Sequence, residues 1–218
     1  MRIPLIYPKI PSPKNCPLKQ CIAFEKLDGT NIHWVWKRNY GGMFASFGTR
    51  RDQFPLHLKG RQAFAKSHPE LADVDEVFIN SPIEGELDYI FTEHENYKDY
   101  NEIFVFTEYF GKNSFAGSHS IKDSKKIVLF DISCDGKIIT PQNLIKDFPN
   151  IELPKVVYKG KYTGQFVEDV RNGKYNVNEG VVVKGVVNGE VYMTKIKTNA
   201  YMEKLKNKFE DKWKDYWE

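Results

Sequence analysis

Hydrophobic and polar residues form short strand-like patterns between residues 21 and 49, after a proline-rich entry. Residues 21–25 are mostly apolar and are predicted to form a strand, and residues 31–37 alternate, with Ile32, Trp34 and Trp36 on one side, which is typical of a β-strand with one buried face. Gly41-Gly42 then marks a turn into residues 43–49, which continue the pattern as an antiparallel neighbour. The pattern therefore predicts three strands near the N-terminus, with Lys26 in the turn after the first.

The rest of the chain mixes strand and helix patterns in no strict order. Further strands are predicted at residues 103–110, 127–132, 181–187 and 190–198. Helices are predicted at residues 141–148, 163–172 and 199–218, whereas residues 61–68 and the acidic stretch from Leu71 are helical or irregular. Glu84-Gly85-Glu86 is interpreted as a solvated turn. This succession is typical of an α+β fold dominated by antiparallel sheet.

The chain has 218 residues and shows no internal repeat or low-complexity linker. We therefore predict one domain over residues 1–198, with residues 199–218 as a C-terminal helix packed on the same domain, in a monomer. The aromatic face of that helix is expected to face the core. Alternatively, its lysines and Lys122, Lys125 and Lys126 could follow a nucleic-acid backbone.

Composition adds constraints on partners and location. Apolar residues make up 41% of the chain and aromatic residues 14%, enough for a sizeable core and for rings that stack on bases. The 32 basic residues nearly balance 29 acidic ones, so any surface that binds nucleic acid must be local. The cysteines and histidines lack metal-ligand spacing, and no window suits a membrane span. Prolines interrupt the N-terminus before a signal peptide can form, so we expect a cytoplasmic location without membrane association.

The tetrad Lys26-Leu27-Asp28-Gly29 offers a candidate nucleophile. A lysine amine attacks phosphorus only when neutral, and its ordinary pKa of about 10.4 keeps it protonated at pH 7 unless neighbouring groups lower that pKa. The alternative is a plain strand that runs into an Asp-Gly turn. The tetrad alone does not decide between the two.

A second group of charges falls on the C-terminal hairpin, with Glu179 before one strand and Lys195 and Lys197 on the other. A two-residue Asn188-Gly189 turn would place Glu179 opposite Thr198 and send both lysines to the other face. A three-residue loop would shift the register by one, so that Glu179 shares a side with both lysines and faces Lys197. We predict the three-residue loop, because a phosphate and a metal ion need these groups together. The alternative is a set of ordinary solvent-facing charges.

Six short motifs in a fixed order resemble those of the covalent nucleotidyltransferases, which include ATP-dependent DNA and RNA ligases and mRNA capping guanylyltransferases. They are the tetrad at Lys26, Thr49-Arg50, the strand-end Glu108, Phe130-Asp131-Ile132, Glu179-Gly180 with Lys184, and Lys195-Ile196-Lys197. Glu25-Lys26 followed by Gly29-Thr30-Asn31 is most similar to the RNA ligase 2-like branch, which is common in phages. We therefore favour RNA over DNA as substrate, and a phage-encoded chain would act in the host cytoplasm.

The resemblance implies an adenylation domain of antiparallel sheets flanked by helices, with a nucleotide pocket between the sheets. It implies that Lys26 attacks ATP to form lysyl-AMP, and that 3′-OH and 5′-phosphate RNA ends are then joined. The implied roles are α-phosphate binding by Lys195 and Lys197, ribose binding by Glu108, adenine stacking by Phe130, nucleotide orientation by Glu25 and Asn31, phosphate or substrate contact by Arg50, and Mg²⁺ or Mn²⁺ binding by Glu179. Positive charge around Lys26 is expected to depress its pKa.

Three points stay open on the sequence alone. Arg50 and Arg51 are adjacent and either could contact phosphate, although the preceding threonine favours Arg50. DNA ligation, guanylyl transfer and simple binding of nucleotides or nucleic-acid ends are alternatives to RNA ligation. Ligases of the superfamily usually carry a further domain after the last motif, whereas this chain continues for one helix beyond Lys197. Strand sealing by this polypeptide alone is therefore a separate question from self-adenylation.

Overall fold

The structure is a computed structural model of the chain, and it describes residues 6–112 and 122–210. Two antiparallel β-sheets and six α-helices make up these ranges, which confirms the predicted α+β fold. None of those helices is long and apolar enough to cross a membrane.

The two sheets are built from ten strands within the described ranges. The strands are β1 Gln20–Lys26, β2 Thr30–Lys37, β3 Met43–Thr49, β4 Phe54–Pro55, β5 Glu102–Phe110, β6 Lys126–Cys134, β7 Lys137–Ile138, β8 Val156–Lys161, β9 Gly180–Val187 and β10 Glu190–Lys197. The α-helices are α1 Leu58–Ser67, α2 Val74–Ile79, α3 Pro82–Glu93, α4 Pro141–Asp147, α5 Gly164–Arg171 and α6 Asn199–Phe209.

The strand order places the tetrad at the junction of the two sheets. One sheet has the order β10-β9-β1-β8, and the other has the order β4-β3-β2-β5-β6-β7. β1 and β2 follow each other in the chain but belong to different sheets. The residues from Lys26 to Gly29 therefore carry the backbone from one sheet to the other.

Each sheet has its own hydrophobic core, to which helices contribute. In the six-stranded sheet, Trp34 stacks on Phe78 of α2 with 3.8 Å between ring centroids and 9° between ring planes. In the four-stranded sheet, Val183 and Ile196 pack with Phe166 of α5. A cavity lies between the sheets, and strands of both contribute to its walls.

The predicted strands, and the helices at 141–148 and 163–172, are confirmed to within two residues at their ends. The C-terminal helix begins at Asn199 as predicted, and Tyr201 and Leu205 are its buried residues. Three aromatic residues also expected on its core-facing side lie outside the described residues: Trp213, Tyr216 and Trp217.

The interpretation of Glu84-Gly85-Glu86 as a turn is wrong, because these residues lie inside α3. Pro82 stands in the first turn, where its missing N–H costs nothing. Ile83, Leu87 and Ile90 recur at helical spacing and are all buried. This apolar stripe outweighs the helix-breaking tendency of one glycine.

The predicted register of the C-terminal hairpin is also wrong. Val187 pairs with Glu190, so the loop is the two-residue Asn188-Gly189 turn, with φ of 52° and 83°. Positive φ at both positions defines the turn whose twist suits an antiparallel hairpin, and Asn-Gly is its preferred sequence. The turn chemistry therefore fixes the register, and the Thr198 N–H donates to the Glu179 carbonyl oxygen at 3.0 Å.

Candidate active site

The cavity between the sheets has a volume of about 670 Å³ and a strongly basic lining. Its basic side chains outnumber its acidic ones seven to three, in a chain whose total charge is only +3. The basic residues are Lys9, Lys26, Arg50, Arg51, Lys184, Lys195 and Lys197, and the acidic ones are Glu25, Glu108 and Glu179. Positive charge is thus concentrated at the cavity, and it suits a polyanionic ligand.

Lys26 ends β1 and points its ammonium at Glu179, with 2.9 Å between Nζ and Oε2. Three residues on, the backbone passes close to β5, because a Cβ on Gly29 would lie 2.5 Å from the Tyr109 carbonyl oxygen. The Gly29 N–H donates to Glu108 Oε1 at 3.1 Å. Glycine is therefore required at the end of the tetrad by close packing of two backbones.

Glu179 reaches the lysines even though the predicted register is wrong. Gly180 pairs with Lys26 on one side and with Lys197 on the other. It has a φ of 153°, and a Cβ there would lie 2.0 Å from the Ile196 carbonyl oxygen. A side chain is therefore excluded at Gly180, and the neighbouring carboxylate of Glu179 lies between the two ammonium groups, with Lys26 Nζ 2.9 Å from its Oε2 and Lys197 Nζ 3.5 Å from its Oε1.

The charges of the protein do not depress the Lys26 pKa, so that prediction is wrong for the protein groups alone. Burial of the ammonium is the largest influence and lowers the pKa, but Glu179, Glu108 and Asp28 together raise it above its usual value. Lys195 behaves in the opposite way. Burial and the like charges of Lys197 and Lys26 lower the Lys195 pKa to about 8.

Glu108 and Asn31 lie opposite each other on β5 and β2. Burial and then the charge of Glu179 raise the pKa of Glu108 to about 7, against the opposing effect of Lys26. The Oδ1 atom of Asn31 is buried and accepts no hydrogen bond from the described residues. A buried polar atom without a partner is uncommon in folded proteins, so these two side chains are suited to receive hydrogen bonds from a ligand.

Of the two adjacent arginines, the structure favours Arg50. Both line the cavity, but Arg51 is exposed whereas Arg50 is half-buried and donates through Nη2 to the Tyr7 carbonyl oxygen at 3.1 Å. Its buried Nε has no acceptor among the described residues. Arg50 therefore keeps one donor for a ligand.

The turn that presents Arg50 is fastened by side chains whose role was not predicted. Asp52 accepts hydrogen bonds from the Thr49 N–H at 2.9 Å and the Thr49 hydroxyl at 2.7 Å. His68 Nε2 lies 2.6 Å from the other Asp52 oxygen, and His33 Nδ1 lies 3.0 Å from the Thr49 carbonyl oxygen. His33 and His68 therefore have packing and hydrogen-bonding roles beside this turn.

A buried polar triad supports Phe130. Lys184 Nζ lies 2.6 Å from Asp131 Oδ1 and donates to the Phe130 carbonyl oxygen at 2.7 Å. The Tyr7 hydroxyl donates to Asp131 Oδ2 at 2.5 Å, and the Tyr7 ring meets Phe130 edge-on with 5.2 Å between centroids. Phe130 is only partly buried and lines the cavity. Sequence reasoning missed Tyr7, since no local pattern connects it with Asp131.

Helix α6 is tied to the tetrad through Tyr201. Its hydroxyl donates to Asp28 Oδ1 at 3.1 Å, and Lys197 Nζ lies 5.2 Å from the centre of its ring. Thr198 caps the helix by accepting from the Tyr201 N–H. The role of Tyr201 was not predicted either, although it lies only four residues after the last motif.

The acidic groups of the site suit a cation that takes only some of its ligands from the protein and the others from phosphate. No group of three histidine, cysteine or acidic side chains in residues 6–112 and 122–210 is arranged to hold a metal by itself. Mg²⁺ usually binds one or two carboxylates and takes its other oxygens from phosphates and water. Glu179, beside Lys26, offers that kind of partial site.

Two sheets around a lysine-rich cavity, with a lysine at their junction and six motifs in the expected order, define a covalent nucleotidyltransferase fold. Within this superfamily the chain belongs to the RNA ligase family, whose model matches residues 19–197. A comparison with curated proteins gave no significant match.

Solved structures of an RNA ligase from Naegleria gruberi share the fold. An apo variant aligns with a TM-score of 0.61 at 16% identity, covering 95% of this chain and 59% of that chain. A variant with ATP and manganese aligns with a TM-score of 0.59, and one with AMP and manganese with 0.56, both at 16% identity and with 94% and 59% coverage. The chain thus spans about three fifths of the length of these ligases.

Proposed function

We propose that the chain is an ATP-dependent RNA ligase that carries AMP covalently on Lys26. The observation that carries the proposal is the position of Lys26 Nζ, 2.9 Å from Glu179 in a basic cavity between two sheets. Membership of the RNA ligase family supports RNA as the substrate. DNA as a substrate is the alternative to be tested alongside it.

The first chemical step would be self-adenylation. The neutral Lys26 amine would form a bond to the α-phosphorus of ATP while the bond to the β-phosphate oxygen breaks and pyrophosphate leaves. Lys26 must lose a proton for this, and Glu179 Oε2 is the carboxylate oxygen hydrogen-bonded to it. Lys195 and Lys197 would bind the α-phosphate and stabilise the charge that develops on it.

Binding of a nucleotide and a cation can lower the pKa of Lys26 again. Glu108 and Glu179 are two of the carboxylates that raise this pKa. Once Glu108 accepts hydrogen bonds from ribose and Glu179 shares in cation binding, both stabilise the ammonium less. The Lys26 amine would then become neutral only when a nucleotide is in place.

The cavity has the dimensions and groups that a nucleotide needs. Its volume of about 670 Å³ falls within the range of small-molecule sites, roughly 300–1,000 Å³. Phe130 offers a partly exposed ring for adenine, whereas Glu25, Asn31 and Arg50 would orient the sugar and phosphates.

A divalent cation fits the same site. The Naegleria gruberi structures with ATP and with AMP also contain manganese. Bound Mg²⁺ or Mn²⁺ would neutralise charge on the α-phosphate and on the departing pyrophosphate. In this chain, Glu179 would hold the cation directly or through water.

The later steps would join RNA ends. AMP would pass from Lys26 to the 5′-phosphate of RNA, and a 3′-hydroxyl would then displace AMP to form the phosphodiester. These steps go beyond the cavity described above, because they need a surface that holds two RNA ends. They are therefore tested separately from self-adenylation.

Labelling with α-³²P-ATP and, in parallel, α-³²P-GTP in Mg²⁺ or Mn²⁺ tests the first step. We expect an acid-labile covalent label from ATP that Lys26→Ala abolishes. Lys66→Ala, on an exposed position of α1, is the matched control and should label normally. Absence of label with both nucleotides would exclude catalysis, and preferential labelling by GTP would indicate guanylyl transfer instead.

End joining is then measured with pairs of RNA or DNA strands that carry 3′-OH and 5′-phosphate ends, nicked or single-stranded. Joining of RNA by the wild-type chain supports the full proposal. Labelling without joining would restrict this polypeptide to nucleotidyl transfer.

A further inference from the structure

The N-terminal segment 6–11 crosses the cavity and is fastened to both sheets. At one end, the Ile6 N–H donates to the Arg50 carbonyl oxygen at 3.0 Å, next to the last residue of β3. At the other end, the Lys195 N–H donates to the Pro11 carbonyl oxygen at 3.0 Å, and the Thr194 hydroxyl donates to the same oxygen at 3.1 Å. Residues between these attachments are therefore held at the cavity by contacts with both of its walls.

Lys9 is the basic residue between the two attachments. It lines the cavity, and its side chain is exposed. It forms no ion pair within the described parts of the chain, in contrast to Lys26 and Lys184, which are paired with carboxylates. Its charge is also felt by Lys195, whose pKa it helps to lower. Lys9 is thus a cation without an ion-pair partner among the described residues, close to Lys195, the lysine assigned to the α-phosphate.

We propose that Lys9 binds the β- or γ-phosphate of ATP and remains bound to it when pyrophosphate leaves. This inference rests on the proposed function, in which Lys195 and Lys197 bind the α-phosphate. The remaining phosphates carry most of the charge of ATP and need their own cations. Lys9, at the exposed edge of the cavity and near Lys195, is placed to supply one without holding the base or the ribose.

Binding measurements on the full chain test this assignment. The probes are α,β-methylene-ATP, which cannot transfer AMP, and AMP, which lacks both outer phosphates. Lys9→Ala should raise the Kd of α,β-methylene-ATP about fivefold, as expected for the loss of a partly solvated charge pair, and leave the Kd of AMP unchanged. Lys9→Arg should restore most of the loss. Lys14→Ala, also exposed but outside the cavity lining, is the matched control.

The reverse reaction gives a second readout. Wild-type protein labelled with AMP should release ATP when pyrophosphate is added, and Lys9→Ala should need a higher pyrophosphate concentration for the same rate. An equal loss of AMP and analogue binding would show a structural role and overturn the inference. So would unchanged binding of both, or a defect confined to RNA binding. If the wild type binds neither nucleotide, the proposed function itself fails; if it binds both and Lys9→Ala is silent, only this inference fails.

Discussion

Lys26 and Glu179 form a hydrogen-bonded ion pair, with 2.9 Å between Nζ and Oε2, although 153 residues separate them in the chain. The carboxylate side chain is only 4% exposed, so little solvent screens the pair. It helps to hold Lys26 in the protonated form, which cannot attack phosphorus. In the proposed self-adenylation, the same carboxylate would accept the proton that Lys26 loses.

Glu179→Gln separates these two effects. It should lower the Lys26 pKa, measured from the pH dependence of amine modification, because a carboxylate that raises this pKa is removed. Self-adenylation should nevertheless fall by at least about 100-fold, because the variant loses both the proton acceptor and the carboxylate proposed to hold the cation. Glu190→Gln, an exposed change at the start of β10, is the matched control. A faster reaction in Glu179→Gln would show that the carboxylate only restrains the nucleophile.

Lys195 should set an alkaline limit on nucleotide capture. Its pKa of about 8 means that it is cationic below that pH and becomes neutral as the pH rises through it. Because kcat/KM reports ionisations of the free enzyme, kcat/KM for ATP should fall above about pH 8. Arginine keeps its charge at higher pH, so Lys195→Arg should move this fall in kcat/KM to higher pH. An unchanged fall in that variant would assign the ionisation to another group.

Gly180→Ala should be strongly destabilising. A Cβ would lie 2.0 Å from the Ile196 carbonyl oxygen, and the backbone has a φ of 153°. Backbone strain and steric overlap together should cost more than about 2 kcal/mol in the free energy of unfolding, measured with urea. Gly85→Ala is the control, because it lies in α3 with no atom within 4 Å of an added Cβ. There the change should stabilise by roughly 0.5–1 kcal/mol.

The hairpin shows which part of the site the sequence could predict. Asn188-Gly189 specified the correct two-residue turn through local chemistry, and the functional argument for a longer loop led to the wrong register. The requirement behind that argument was nevertheless sound, because Glu179 does meet Lys197. What the strand pattern could not show is that the carboxylate of Glu179, one residue before Gly180, lies between the ammonium groups of Lys26 and Lys197.

Residues contributed by long-range packing could not be predicted. The alternating strands and the ordered motifs identified Lys26, Glu108, Phe130 and Glu179, which all line one cavity. Tyr7 was missed because its partners Asp131 and Met193 lie 124 and 186 residues away, so no local pattern links them. A single sequence records each residue of such a contact but not the pairing.

Glu108 should make the protein less stable at neutral pH than at mildly acidic pH. Its folded-state pKa is about 7 against an ordinary value of 4.5, because burial disfavours the carboxylate. The folded protein therefore takes up a proton as the pH falls below 7, before the unfolded chain does, and this contribution to stability grows until about pH 4.5. Glu108→Gln should remove the destabilisation that the ionised, buried carboxylate causes above pH 7.

Thermal unfolding in the absence of nucleotide measures this effect. At pH 8, Glu108→Gln should be more stable than wild type by about 1 kcal/mol, allowing for partial solvent exposure, or about 2–4 °C in Tm. The difference should shrink as the pH falls from 7 to 4.5 and vanish below that, where Glu108 is protonated in both the folded and the unfolded wild type. ATP capture by the variant should be weaker, because an amide replaces the carboxylate expected to bind ribose. A variant that loses stability at pH 8 would show instead that the ionised Glu108 stabilises the fold through Lys26.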